Sequence, residues 1–152
     1  MDSNSDSSLK KQGEKLYRDG VTHVLAGYQL LEEQLKIYLE IHFDLTRAIL
    51  ASRLYFDFKR DDYQDAALGR LVHIFSKLCA NKDLVLGLRS VVKSRDHIAH
   101  QALVKLYKQD ISAQEYSGLI AELNNQMNTV SQLMTDIAKE MEKMGDGRGD
   151  ST

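Results

Sequence analysis

Residues 89–104 read RSVVKSRDHIAHQALV and contain Arg95, followed by Asp96 and, after three further residues, by His100. On a helix, the side chains three and four positions from Arg95 are all apolar, namely Val91, Val92, Ile98 and Ala99. The guanidinium is therefore predicted to project from the middle of a buried stripe. Because burying an unpaired charge is unfavourable, Arg95 is expected to need a carboxylate, a phosphate or a partner subunit.

The length and composition of the chain are those of one globular domain. Apolar residues make up 43% and charged residues 28% of 152 residues, and there is no proline to interrupt long helices. No window alternates strictly between apolar and polar residues, so no strand is predicted. The single cysteine argues against a disulfide framework and against a cysteine-based zinc site.

Apolar periodicity predicts an up-and-down bundle of four to five helices, with one domain over residues 9–144. Asp44 and Asn81 are candidate N-caps, and Ser112 with Glu115 has the spacing of a capping box. The predicted helices cover residues 9–42, 46–58, 63–80 and 82–107, and a last long helix starts after residue 112. The tails 1–8 and 145–152 are predicted to be disordered.

Three glycines, Gly13, Gly20 and Gly27, recur every seven residues on one face of the first predicted helix. Each lowers helix stability by about 1 kcal/mol relative to alanine. They mark either a close approach of a second helix or a break near Asp19 and Gly20, and the spacing alone leaves both open.

No apolar run approaches the roughly 20 residues that a membrane-spanning helix needs. The polar, acidic N-terminus lacks the pattern of a signal peptide, so a cytoplasmic location is expected. The net charge is −2, but residues 89–108 hold five Lys or Arg and one Asp, so this segment is basic and the rest is acidic. Such asymmetry fits a local anion site as well as a solvated basic face.

The residues around Arg95 suit phosphodiester cleavage without a metal, and no metal or other cofactor is predicted. His100 has the pKa range of an acid/base for the ribose 2′-hydroxyl, and Arg95 can stabilise charge on the phosphate. Asp96 lies four residues before His100 and can orient it. Arg89, Lys93 and His97 are predicted to contact the substrate. His97 should be exposed, whereas His100 should lie at the edge of the apolar stripe.

Arg95 and His100 lie about 140° apart around an ideal helix axis. They converge only if the helix loosens near Ala99, if long side chains reach a shared cleft, or if a two-fold dimer brings two copies together. Glu32 lies in the apolar stripe of the first helix and is the predicted structural partner of Arg95. If the two pair, Arg95 is half of a structural salt bridge and not a catalytic group.

The segment Arg95-Asp96-His97-Ile98-Ala99-His100 resembles the signature of the HEPN superfamily (higher eukaryotes and prokaryotes nucleotide-binding), an Arg, a polar residue, a short spacer and a His. The helix GYQLLEEQLKIYLE at residues 27–40 also resembles the opening helix of such domains. The resemblance covers residues 15–140 in architecture and is specific around residues 89–102.

The resemblance implies a homodimer whose Arg/His pairs line a cleft at the interface, and a metal-independent endoribonuclease, such as a toxin or phage-defence enzyme with an antitoxin partner. It assigns acid/base catalysis to His100, phosphate stabilisation to Arg95 and support to Asp96. In one toxin subgroup a tyrosine two residues after the histidine is modified by a partner enzyme, but here that position is Ala102. Two alternatives remain: a non-catalytic module that binds RNA, a nucleotide or a protein, and a purely structural interaction domain.

Overall fold

The computed structural model describes residues 3–108 and 110–146, and within them the chain is an all-α bundle without strands, which confirms the predicted fold class. The described residues form four α-helices and one short 3-10 helix. They are α1 (Ser3–Leu50), the 3-10 helix (Arg60–Asp62), α2 (Leu68–Leu78), α3 (Lys82–Tyr107) and α4 (Ala113–Asp146). None of the helices in the described residues is long and apolar enough to cross a membrane.

The described residues group into two compact units. The first unit combines residues 3–28 with residues 91–131, and the second combines residues 29–90 with residues 132–146. Helices α1, α3 and α4 each contribute to both units, whereas α2 belongs to the second unit alone.

In the first unit, the glycines of α1 mark a close approach to α4. A Cβ added at Gly13, Gly20 or Gly27 would lie 3.1 Å from Tyr116 Cβ, 3.0 Å from Leu123 Cδ1 or 2.8 Å from Met127 Sδ, respectively. The residue numbers of the contacting positions rise together along α1 and α4, so the two helices run in the same direction here. Because α1 is unbroken from Ser3 to Leu50, close helix approach is the correct alternative and a break near Gly20 is wrong.

In the second unit, the connection between α1 and α2 folds back along α1. The rings of Phe58 and Tyr63 pack on Phe43, with centroids 4.6 and 6.0 Å away. Arg60 adds ion pairs to Glu33 and Glu40 of α1 at 3.1 and 2.9 Å. These contacts return the chain towards the middle of α1 before α2 begins.

This return gives α1 and α2 the same direction. The N–H of Leu68 donates to Glu32 Oε1 at 3.2 Å, and six residues further along α1 the ring of Tyr38 lies 4.6 Å from that of Phe75. From α2 onward the helices of this unit alternate in direction. Asn81, just before α3, donates to Glu140 of α4 at 3.2 Å, and a Cβ on Gly87 of α3 would lie 2.8 Å from Leu133 of α4. The residue numbers rise along α3 while those of their α4 partners fall, so these two helices are antiparallel.

Several predicted helix boundaries differ from the structure. Residues 3–8, predicted as part of a tail, form the start of α1. Asp44 does not cap a second helix, because it lies inside α1 and pairs with Arg47 at 2.9 Å. The helix predicted over residues 46–58 is therefore wrong: α1 ends at Leu50, and Ala51 turns the backbone with φ of 32°.

The third predicted helix starts later than expected, at Leu68 instead of residue 63, because a 3-10 turn precedes it. The predicted caps of α3 and α4 are confirmed. The N–H of Leu84 donates to Asn81 Oδ1 at 3.1 Å, and Ser112 and Glu115 exchange hydrogen bonds of 3.0 and 3.1 Å. Of the predicted C-terminal tail, residues 145 and 146 belong to α4, and the rest lies outside the described residues.

Candidate functional site on helix α3

The motif Arg95 to His100 lies in the first unit on an uninterrupted stretch of α3. The helix does not loosen near Ala99, so that route for bringing Arg95 and His100 together is wrong. On a regular helix their side chains leave the axis about 140° apart. Long side chains and a two-fold dimer remain as the two routes to a shared site.

Four of the predicted site residues occupy the outer face of α3. Lys93, Asp96, His97 and His100 are all exposed and fall within an arc of about 100° around the helix axis. His97 is exposed as predicted. His100 is also exposed, whereas the sequence placed it at the edge of the apolar stripe. Both imidazoles are therefore open to a proton donor or acceptor from solvent or a ligand.

Arg95 lies on the opposite side of the helix, between core and solvent. Its neighbours Val91 and Ile98 are 1% and 3% exposed, whereas its own side chain is 37% exposed. Its Nη1 lies 3.8 Å from Asp96 Oδ1, a long ion pair with a carboxylate that is itself 71% exposed. The predicted position in an apolar stripe is correct, but the guanidinium retains contact with solvent.

The charge of Arg95 also acts inward, on Tyr28. This tyrosine of α1 is 1% exposed, and its hydroxyl donates to Gln126 Oε1 of α4 at 3.4 Å. The pKa of Tyr28 is raised to about 12, mainly by burial. The positive charge of Arg95 lowers this pKa, and the negative charge of Glu122 raises it. The polar environment of Tyr28 is formed by side chains from α3 and α4, so the sequence of α1 alone does not reveal it.

Glu32 has a role that the sequence did not predict. It belongs to the second unit, where its Oε1 accepts the N–H of Leu68, the first residue of α2. Ala67, the residue before α2, supplies no side-chain cap of its own. Glu32 therefore caps a helix that begins 36 positions further along the chain. Its pairing with Arg95 stays a prediction.

Arg89, predicted to contact substrate, belongs to the second unit and not to the unit of His100. There it lines a cavity of about 340 Å³ together with Lys82 and Cys79. The sequence missed this grouping, although the spacing of seven residues between Lys82 and Arg89 places both on one helix face.

The described residues of α3 include acid/base groups, but these groups do not form a cluster that could hold a metal ion. In residues 3–108 and 110–146, no three His, Cys, Asp or Glu side chains are grouped so that they could hold a metal ion. Asp96 and His100 are one helical turn apart on the exposed face, a spacing that lets a carboxylate orient an imidazole.

Comparison of the chain with models of protein families, with characterised proteins and with solved structures found no match. The HEPN resemblance of residues 95–100 therefore stays a prediction from the sequence motif, and the fold class is established by the helices themselves.

Proposed function

We propose that this protein is a HEPN-like, metal-independent endoribonuclease that cleaves RNA as a homodimer in the cytoplasm. The observation that carries the proposal is the outer face of α3, on which Asp96, His97 and His100 are exposed together. Lys93 on the same face adds positive charge that attracts the phosphate backbone. An accessible imidazole beside a carboxylate and a cation is suited to proton transfer on a phosphodiester.

In the proposed reaction, His100 removes the proton from a ribose 2′-hydroxyl, and the oxygen attacks the adjacent phosphorus. Arg95 stabilises the negative charge that develops on the phosphate oxygens, and Asp96 orients the imidazole. The bond from phosphorus to the 5′-oxygen breaks, and that oxygen receives a proton. The products are a 2′,3′-cyclic phosphate and a 5′-hydroxyl end.

A second copy of the chain is part of the proposal, because Arg95 and His100 leave one helix in different directions. Three large apolar side chains lie exposed beside His100: Leu103 is 61%, Val104 is 42% and Tyr107 is 86% exposed. A second copy packed against this face would cover them, and its long Arg95 side chain, which is 37% exposed, would reach around α3 towards the first copy's His100.

Within this proposal, the biological use is that of a toxin or defence ribonuclease with an antitoxin partner. One observation favours a second candidate, a non-catalytic module that binds RNA, a nucleotide or a protein through the same face. In a single chain the regular α3 helix holds Arg95 and His100 apart, and binding does not require the two to converge.

The test is incubation of purified protein with total RNA in the presence of EDTA, followed by analysis of the RNA ends. The parent is expected to cleave and to leave 2′,3′-cyclic phosphates. His100→Ala and Arg95→Ala should each lower the rate by about 100-fold or more. His23→Ala is the matched control, because His23 is an exposed histidine of the same unit.

Cleavage by His100→Ala at the parental rate, or loss of parental activity in EDTA, would overturn the proposed mechanism. RNA binding that weakens with salt, without cleavage by the parent, would favour the binding module instead. Circular dichroism of each variant separates loss of chemistry from loss of fold. The two histidine variants change exposed side chains and should melt like the parent.

A further inference from the structure

A cavity in the second unit lies where α2 ends and α3 begins. Its volume is about 340 Å³, within the usual range for a small-ligand site. Residues from both helices and from the turn between them line it, namely Ser76, Cys79, Ala80, Lys82, Val85, Leu86 and Arg89. The walls are thus largely apolar, with two cationic side chains.

Two cations, Lys82 and Arg89, line the cavity, and no carboxylate lines it among the residues that the structure describes. Glu140 acts on the cavity residue Cys79, but its carboxylate is paired with Lys143 at 2.8 Å. Within residues 3–108 and 110–146, neither cation makes an ion pair. A cavity elsewhere in this unit shows the contrast. Its Arg47 and Arg60 are matched by Asp44 and Glu40, each at 2.9 Å.

The two cations share one face of α3. They are seven residues apart, so their Cα atoms are separated by about 10 Å, and both side chains are long enough to reach one anion between them. Lys82 is also the first residue of α3, where the N–H groups give the helix end a partial positive charge. The two side chains therefore place two positive charges around the same space.

The other polar groups of the cavity do not oppose an anion. The Ser76 hydroxyl donates to the carbonyl of His73 at 2.7 Å, so its proton is already used. Burial raises the pKa of the Cys79 thiol above its ordinary value, which keeps the sulfur uncharged at neutral pH. The donors available to a ligand are therefore the ammonium of Lys82 and the guanidinium of Arg89.

We propose that this cavity binds a phosphate monoester through Lys82 and Arg89. A monoester near neutral pH carries close to two negative charges, which matches two cations without a counterion, and a guanidinium suits the geometry of its oxygens. The phosphate has two possible sources, the 5′-phosphate end of a nucleic acid and a free phosphate compound. The proposal does not depend on the ribonuclease activity.

The test measures binding of three probes to the full-length protein: inorganic phosphate, and one short single-stranded DNA with either a 5′-phosphate or a 5′-hydroxyl. DNA lacks the 2′-hydroxyl and is not cleaved by the proposed mechanism. Lys82→Ala and Arg89→Ala should each weaken phosphate binding about tenfold or more. Lys77→Ala is the matched control, because Lys77 is exposed on α2 but does not line the cavity.

Tighter binding of the 5′-phosphorylated DNA, lost in both variants, would establish a nucleic-acid end as the ligand. Binding of inorganic phosphate with no preference between the two DNAs would support the site with a free phosphate compound as ligand. No phosphate binding by the parent, or equal binding by the parent and both variants, would overturn the proposal. The proposed catalysis is measured separately, in the RNA assay with EDTA, so it can fail without this site failing.

Discussion

His42 makes the stability of the fold depend on pH near neutrality. Its half-buried ring lies beside those of Tyr38 and Phe43, with centroids 6.1 and 6.0 Å away. Burial lowers the pKa of His42 below its ordinary value of 6.5, and a backbone hydrogen bond opposes this only in part. In this range the folded chain therefore holds fewer protons than the unfolded chain, and its stability rises with pH.

We accordingly expect the free energy of unfolding to fall as the pH is lowered through 6.5 towards the lower pKa of the folded state. Urea titrations between about pH 7.5 and 5.5 measure this slope. His42→Gln should flatten it, whereas the exposed His23→Gln should not. The carboxyl groups of Glu33, Glu115 and Glu140 have pKa values lowered from 4.5, so they change the stability of the fold only in more acidic solution. An unchanged slope in His42→Gln would contradict this assignment.

At the scale of helices, glycine has opposite effects at two positions. A Cβ on Gly13 would lie 3.1 to 3.3 Å from three atoms of Tyr116, two of them Cβ and Cγ, close to the α4 backbone. A Cβ on Gly118 would meet nothing within 4 Å. We expect Gly118→Ala to raise stability by up to about 1 kcal/mol, and Gly13→Ala to lower it by about 1 kcal/mol or more, because α1 and α4 must separate.

Thermal unfolding of both variants and the parent checks this pair, and Gly118→Ala serves as the control for helix propensity. If Gly13→Ala gains as much stability as Gly118→Ala, the close approach of α1 and α4 is absent in solution. The seven-residue spacing predicted that these glycines share a face. It could not predict the approach itself, because the opposing residue is 103 positions away.

The helix ends that the sequence predicted correctly are those with local caps. Asn81 and the Ser112–Glu115 pair act within four residues of their targets, so their pattern is visible in the chain. The start of α2 was missed because its cap, Glu32, comes from α1. Asp44 was misassigned because an aspartate can either cap the start of a helix or form an ion pair within one. Here it forms an ion pair with Arg47, one turn further along α1.

The candidate site shows the same division between local and tertiary information. Helical spacing predicted the apolar surroundings of Arg95 and the exposure of His97. It did not predict that His100 is fully on the exposed face, or that the charge of Arg95 lowers the pKa of Tyr28. Those properties depend on how α1 and α4 pack against α3, which the local sequence of α3 does not specify.

For the whole molecule, the proposal requires that two copies meet through the outer face of α3. Leu103 is 61% exposed and lies three residues from His100, so it should be covered in the dimer. Leu103→Glu would place a charge in that apolar contact, and we expect it to give monomers and to abolish RNA cleavage together. Sedimentation equilibrium measures the mass, and the RNA assay measures the activity.

Leu30→Glu is the matched control, because Leu30 is 60% exposed but belongs to the second unit. This variant should keep both the dimer and the activity, since its charge lies on a face that the proposed contact does not use. A parent protein that sediments as a monomer would contradict the two-fold arrangement. A monomeric Leu103→Glu that still cleaves RNA would show that one chain holds Arg95 and His100 on the same phosphate, which α3 permits only through long side chains reaching a shared cleft.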